Sequence, residues 1–409
     1  MRLTIRLLAL IVVLVAGPVR AADSSAYLLV DVRSGAVLDA RLSDRLWQPA
    51  SLTKLMTAYV TFKALKAGTL TLTSPVRISA NALAQAPAKM GFSVGTILNV
   101  DNALKMMLVK SANDIAMAMA ETVGGSESGF VAMMNAEARR LGMVSTHYDN
   151  PNGLPSDGQV TTARDLAVLA RALWVDFPEH RDLFGIPAIK AGRRILRSQN
   201  VLLERYHGAN GMKTGFICAS GYNIVGAANR FGRQLIVVVL GASSSKNRAE
   251  TAAVLLNKGF GNLFSGTQRP LLANFETNPA AGPAANLHDQ VCGRGMIATD
   301  EDDPLLASVG TSSALEPRFQ LMAPIQVYTG RADVPGGGPV VASPTPADAS
   351  APPAPAKVVT APAPANKVPP LPRLRPSIAS VTPQAYAGQS LPSATLVQVN
   401  PPLDLTPVH

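Results

Sequence analysis

The 409 residues include 47% hydrophobic and only 16% charged side chains, which supports a sizeable core and excludes a disordered polyelectrolyte. Two cysteines exclude a disulfide-rich scaffold or a cysteine-built zinc module, and no apolar run reaches the ~18–20 residues of a membrane span. The formal charge of +10 is spread along the chain and aromatics are 5%, so a nucleic-acid footprint is not supported; an anionic substrate or wall polymer suits it better.

Arg2 and Arg6 precede an apolar run at 7–16 and the Val19-Arg20-Ala21 tripeptide. This order predicts a secretory signal peptide over residues 1–21, cut after Ala21 or Ala22. The apolar run is too short for an anchor helix, and no nearby cysteine offers a lipid attachment point. The mature protein is therefore expected in the periplasm or cell envelope. A disulfide is permitted there, but nothing in the sequence ties Cys218 to Cys292, and both are expected to be unpaired.

Residues 24–262 read as one globular domain. Segments 27–32 and 36–41 around Ser34-Gly35 predict a hairpin. Helices are expected over 52–67, 103–109, 114–123 and 130–141, the last stopped by Gly142. Thr162 with Asp165 resembles a helix start, followed by 163–173. Two late strands, 222–228 and 234–241, flank a turn at 229–233, and a closing helix over 249–258 ends at Gly259. Strands at both ends with helices between predict an α/β fold with a mostly antiparallel sheet. Met106, Met107, Met117, Met119, Met133 and Met134 read as core filler. Residues 263–334 show little periodicity and read as an irregular extension. From Pro335 to His409 the chain holds 18 of its 32 prolines, among Ala, Ser, Thr and Val. That composition predicts a disordered, partly polyproline-II tail.

Ser51-Leu52-Thr53-Lys54 places a hydroxyl and an amine three residues apart, on one face of a helix. A serine hydroxyl needs a base beside it to act as a nucleophile. A lysine serves as that base only when neutral, which calls for burial or a neighbouring cation. Ser111-Ala112-Asn113, between two predicted helices, offers a hydroxyl to pass a proton and an amide to hold a peptide carbonyl. Lys213-Thr214-Gly215 supplies the second cation, a pair of groups for a substrate carboxylate, and a glycine that lets an edge strand approach the substrate.

Taken in order, these three motifs resemble the set shared by penicillin-binding proteins and class A β-lactamases. The stretch from Lys213 through Phe216, Ser220 and Gly221 to Asn223 is similar to that of secreted serine D-Ala-D-Ala carboxypeptidases, as are 150–154 and the helix after Thr162. The resemblance spans residues 24–260. It implies the serine β-lactamase/penicillin-binding-protein fold with a helical subdomain. It also implies attack by Ser51 on the terminal D-Ala-D-Ala bond of peptidoglycan stem peptides, with Lys54 as base and Ser111 as proton shuttle. Asn113 would orient the peptide. Lys213 and Thr214 would hold its carboxylate, with Arg248, and Gly215 would border it. The backbone N–H groups of Ser51 and Phe216 would form the oxyanion hole. β-Lactam antibiotics are the implied inhibitors, and no cofactor is expected. Phe216 and Ile217 stand where relatives often carry a histidine and a hydroxyl residue. The tail lacks an amphipathic basic helix, so no membrane anchor is expected.

Short motifs also recur by chance. Ser243 to Lys246 is a second Ser-x-x-Lys, but it lies beyond Lys213 and breaks the order. Gly91-Phe92-Ser93-Val94-Gly95 matches a hydrolase elbow, yet no strand precedes it and extended sequence follows, so a turn is expected. Three other functions share these motifs or this fold: a D,D-endopeptidase, a β-lactamase and a non-catalytic wall-binding protein. Residues 145–165 contain no glutamate to speed deacylation, which argues against an efficient β-lactamase.

Overall fold

The most apolar segment of the late sequence, Leu235-Ile236-Val237-Val238-Val239-Leu240, forms the central strand of a five-stranded sheet. In this computed structural model, which describes residues 25–261, 268–293, 313–319 and 323–330, the run belongs to β9 (Arg233–Ala242). Earlier strands are β1 (Ala26–Asp31), β2 (Val37–Arg41), β3 (Pro75–Arg77), β4 (Ile97–Asn99), β5 (Ala188–Ala191), β6 (Arg194–Arg197), β7 (Ala209–Ile217) and β8 (Gly221–Arg230). The main sheet has the order β2-β1-β9-β8-β7, and each neighbouring pair is antiparallel.

Successive side chains of a strand point to opposite faces. Leu235, Val237 and Val239 accordingly enter one buried cluster with Leu29, Ala252 and Leu256, whereas Ile236, Val238 and Leu240 enter another with Leu28 and Val30. Both faces are covered, which explains an unbroken apolar run where alternation would mark a half-exposed strand. One cover is the long helix α8 (Ser245–Gly261); the other contains α1 (Lys54–Lys66) and α6 (Ala163–Asp176).

A helical region follows α1: α2 (Ala80–Ala84), α3 (Val100–Val109), α4 (Asn113–Gly124) and α5 (Glu127–Arg140). Their starts are legible. Ser79, Asn99 and Ser126 each accept a backbone N–H three residues on, and Thr162 does the same for α6. Met106, Met107, Met117, Met119 and Met134 are buried as expected, but Met133 is 38% exposed. It lies on the outer face of α5, one residue from the buried Met134, so it is not core filler. The hydrolase-like glycine motif is a turn before β4. Short α7 (Leu202–Arg205) precedes β7.

The segment after α8 does more than trail away. α9 (His288–Val291) sits in a strap that packs Leu272, Leu287 and Val291 into the main core, and β10 (Ile325–Val327) joins β5 in parallel on the side opposite β6. The strap also corrects the cysteine expectation: Cys218 and Cys292 form a disulfide across 74 residues of sequence. Leu287 N–H donates to the Ala219 carbonyl (2.8 Å), so the returning strap lies alongside the end of β7 and brings the thiols together. No local spacing could announce this long-range contact. Cys292→Ser is expected to lower unfolding free energy by about 2–4 kcal/mol, read as a lower denaturant midpoint. The expected signal peptide and the 335–409 tail lie outside the described residues. Among the described residues no helix is long and apolar enough to cross a membrane.

Candidate active site

Ser51 lies in a single 3-10 turn (Ala50–Thr53) that runs directly into α1 at Lys54. The three-residue spacing works as the sequence suggests: Lys54 Nζ is 2.9 Å from Ser51 Oγ. Lys54 is fully buried. Its Nζ donates to Asn113 Oδ1 (2.7 Å) and to the Asn152 carbonyl (2.5 Å). A neutral amine has two N–H bonds and one lone pair. Two carbonyl oxygens, which can only accept, take both N–H bonds, and the lone pair is left for the Ser51 hydroxyl.

Burial holds the Lys54 amine well below the ordinary lysine range, and the charge of Lys213 pushes the same way, while Asp114 opposes them. Burial is the largest of these influences and sets the direction. Lys213, on β7, donates to Ser111 Oγ (2.9 Å) and to the Thr214 carbonyl (2.8 Å). A hydrogen-bonded path therefore links Lys213 to Ser111, and Asn113 two residues on holds Lys54, which reaches Ser51.

The helical region fixes the Ser111–Asn113 corner. Asn113 N–H donates to the Ala88 carbonyl and its side-chain amide to the Ala86 carbonyl (2.7 and 2.9 Å). Asp114, fully buried, accepts the backbone N–H groups of Met90 and Gly91 (3.0 and 2.8 Å). Burial pushes its carboxyl up, and the backbone N–H groups of Gly91, Met90 and Ile115 pull it down. Ala50 and Ser111 both have φ in the left-handed region, +48° and +63°, although neither is glycine. Strain of this kind persists only where surrounding structure enforces it, and here it falls next to Ser51 and at Ser111.

Thr214 and Gly215 lie on β7 against the Ser51 turn. A Cβ at Gly215 would stand 3.0 Å from the Pro49 carbonyl and 3.1 Å from Ser51 N, so only glycine admits this approach without a shift. The Phe216 ring stacks on Tyr222 with centroids 4.3 Å apart. Arg248 is buried at the start of α8, not on a solvated surface. Its guanidinium donates to the Gln199 carbonyl and Ser245 Oγ (both 3.1 Å) and lies 5.7 Å from the Tyr222 ring. Of the expected residues, Ser51, Lys54 and Asn113 share one set of hydrogen bonds and Lys213 and Ser111 another, the two joined through the backbone from 111 to 113. Thr214, Gly215 and Phe216 border them through β7, and Arg248 connects through Tyr222.

Sequence reasoning assigned no role to Asn152, Gly153 or Asp114. Asn152 acts through its backbone carbonyl, which any residue carries, so only the turn signals of Asn150-Pro151-Asn152-Gly153 mark the place. Gly153 has φ +90°, and a Cβ there would overlap the Ala50 carbonyl beside Ser51. Gly153→Ala is expected to cost at least about 1–2 kcal/mol from the backbone alone. It should also slow acylation, because the displaced carbonyls are those beside Ser51 and Lys54. A labelling time course with fluorescent penicillin checks this. A cavity lined by Ser126, Glu127, Asn135, His147 and Asp149 includes none of the active-site residues.

A buried amine 2.9 Å from a serine hydroxyl, with a second lysine on the edge strand of an antiparallel sheet bonded to Ser111, is an arrangement able to activate that serine as a nucleophile. The chain belongs to the D-alanyl-D-alanine carboxypeptidase family, whose pattern matches residues 14–244. It is 38% identical over 251 residues to the D-alanyl-D-alanine carboxypeptidase DacC of Escherichia coli strain K12, covering 58% of this chain and 61% of that protein. The chain thus spans about three fifths of the length of this curated relative. The structure resembles penicillin binding protein 6B from Escherichia coli (TM-score 0.56, 32% identity, 60% of this chain and 81% of the other). It also resembles Penicillin-Binding Protein D2 from Listeria monocytogenes in its cefotaxime-bound form (TM-score 0.50, 30% identity, 57% and 96%). The fold is therefore that of the penicillin-binding proteins, with a helical region beside an antiparallel sheet.

Proposed function

We propose that this protein is a serine-type D,D-carboxypeptidase of the cell envelope that removes the terminal D-alanine of peptidoglycan stem pentapeptides, and that β-lactams inhibit it. The contact that carries the reading is Lys54 Nζ at 2.9 Å from Ser51 Oγ, with both amine protons engaged by carbonyls. Ser51 Oγ bonds to the carbonyl carbon of the penultimate D-alanine as its proton moves to Lys54 Nζ. The backbone N–H groups of Ser51 and Phe216 hold the developing oxyanion; each such donor is worth about 3–4 kcal/mol of barrier lowering. Collapse breaks the C–N bond, and a proton delivered through Ser111 lets D-alanine leave as an amine. Water then attacks the ester carbonyl as Lys54 takes its proton, and that proton passes to Ser51 Oγ as the acyl C–O bond breaks, which restores the serine hydroxyl and the neutral amine.

Asn113 orients the stem peptide, while Lys213 and Thr214, with Arg248 behind them, recognise the terminal carboxylate. Gly215 gives the strand edge room for it. The cefotaxime-bound relative supports the β-lactam reading. We also propose export through the 1–21 leader, a catalytic domain over 24–262, and an irregular extension and tail over 263–334 and 335–409.

Two of the three carboxylates between 145 and 165, Asp149 and Asp165, are otherwise employed. Asp149 accepts from Ser156 Oγ and pairs with His147, and Asp165 accepts from Ser145 N and Thr146 Oγ1. Slow hydrolysis of the penicilloyl-enzyme is expected, and fast nitrocefin turnover would contradict it. Incubation of the purified protein with pentapeptide wall fragments decides the main reaction. Free D-alanine supports carboxypeptidase action; separation of cross-linked dimers without D-alanine release would assign an endopeptidase instead.

A further inference from the structure

The two backbone amides that the proposed reaction uses sit on different pieces of chain, Ser51 after the 46–50 segment and Phe216 near the end of β7. The strap at residues 285–292 is bonded to both pieces. Ala285 N–H donates to the Leu46 carbonyl (2.9 Å), five residues before Ser51, and Leu287 N–H to the Ala219 carbonyl (2.8 Å), three after Phe216. Cys292 is bonded covalently to Cys218, two residues after Phe216. Between these anchors the Leu287 side chain is 5% exposed. Its Cδ1 is placed 3.2 Å from where a Cβ on either Gly221 or Gly241 would stand, so it fills the space those glycines leave. The Trp47 indole N–H donates to the Ser220 carbonyl (2.9 Å), a direct tie between the two pieces that the strap flanks.

We propose that the strap, through Leu287 and the Cys218–Cys292 bond, is a positioning element that sets the spacing of the Ser51 and Phe216 amides and so the strength of oxyanion stabilisation. The inference rests on the carboxypeptidase reading, since it concerns that reaction's oxyanion. A displacement of about 1 Å far from the reacting atoms can lower a rate by about 10²-fold when it moves the groups that hold the transition state. Neither residue touches substrate. Each acts by fixing where β7 ends relative to the Ser51 turn.

The test uses the full chain and two variants, Cys292→Ser and Leu287→Ala, at a temperature where each is folded by circular dichroism. The limiting acylation rate with benzylpenicillin is measured across pH, together with affinity for a boronic acid that forms a tetrahedral anion on Ser51. The expected result is a 10- to 100-fold lower limiting rate and a parallel loss of boronate affinity in both variants, with the pH midpoint unchanged, because that midpoint reads Lys54. Folded variants with the wild-type limiting rate and boronate affinity would overturn the proposal, even if they unfold more readily. If Cys292→Ser does not fold, Leu287→Ala, which keeps the disulfide, tests the proposal by the same two readouts. A wild-type chain that benzylpenicillin never acylates would overturn the carboxypeptidase reading itself and the proposal with it, an outcome distinct from a normal wild type with unaffected variants.

Discussion

Ser51→Ala is expected to abolish covalent labelling by fluorescent penicillin and to reduce D-alanine release by on the order of 10⁴-fold or more, because removal of a nucleophile disables the whole catalytic unit. Its unfolding midpoint should stay close to that of the wild type. A serine at the head of a helix is often only a cap, and capping would make the substitution a stability effect of about 1 kcal/mol. The geometry separates the two roles. Neither the 3-10 turn nor α1 has a side-chain cap, and the Ser51 hydroxyl is bonded to Lys54 Nζ. Loss of labelling with retained stability is the signature of a nucleophile; loss of stability with retained labelling would mark a cap. The same experiment distinguishes an enzyme from a wall-binding protein that keeps only the fold.

Lys54→Met should lower the acylation rate by about 10²–10⁴-fold, the range supplied by a positioned general base. Methionine approximates the buried volume and removes the amine, so packing around α1 is largely kept. A second consequence concerns stability. A buried amine held below its ordinary value binds fewer protons in the folded chain than in the unfolded chain. Wild-type stability should therefore rise with pH from the lowered Lys54 value up toward the ordinary lysine value of 10.5, and decline as pH falls through that window. In Lys54→Met this contribution disappears. Denaturant midpoints measured across mildly acid to alkaline pH would show a shallower slope for the variant. An equal slope in both proteins would mean that Lys54 is charged in the folded state.

Much of this site was readable from residue order because its chemistry is carried by side chains at short spacings. Ser51 and Lys54 are one turn apart, Ser111 and Asn113 share a corner between helices, and Lys213 to Gly215 lie along a strand. The central strands were legible because Leu235–Leu240 is covered on both faces. Other parts depend on contacts that no local pattern records. Arg248 has the sequence context of an exposed helix start, yet the turn at Gln199 and the start of β8 enclose it. The Asn152 carbonyl is invisible because the acceptor belongs to the backbone. Cys218 and Cys292 meet only because the strap crosses back over the end of β7. Short β5 and β6 gave no signal: Lys190, Arg194 and Arg197 break the apolar pattern, and the pairing with β10 is made from more than a hundred residues away.

The departure at Phe216 and Ile217 has a structural setting. Phe216 stacks on Tyr222, whose ring lies close to Arg248, so an aromatic pair stands beside the group proposed to recognise carboxylate. The backbone N–H at 216 is present whatever the side chain, so the proposed oxyanion donor does not depend on this departure, whereas the side chains beside it do.

The most direct test is the pH dependence of the second-order rate constant for acylation of the wild type by a β-lactam that does not itself titrate in the range. The account predicts that the rate falls on acidification along a single-proton limb, with a midpoint far below 10.5, as the amine beside Ser51 becomes protonated. A rate that stays level from mildly acid to mildly alkaline pH, or one that rises only near the free lysine value, would contradict a neutral Lys54 as the base.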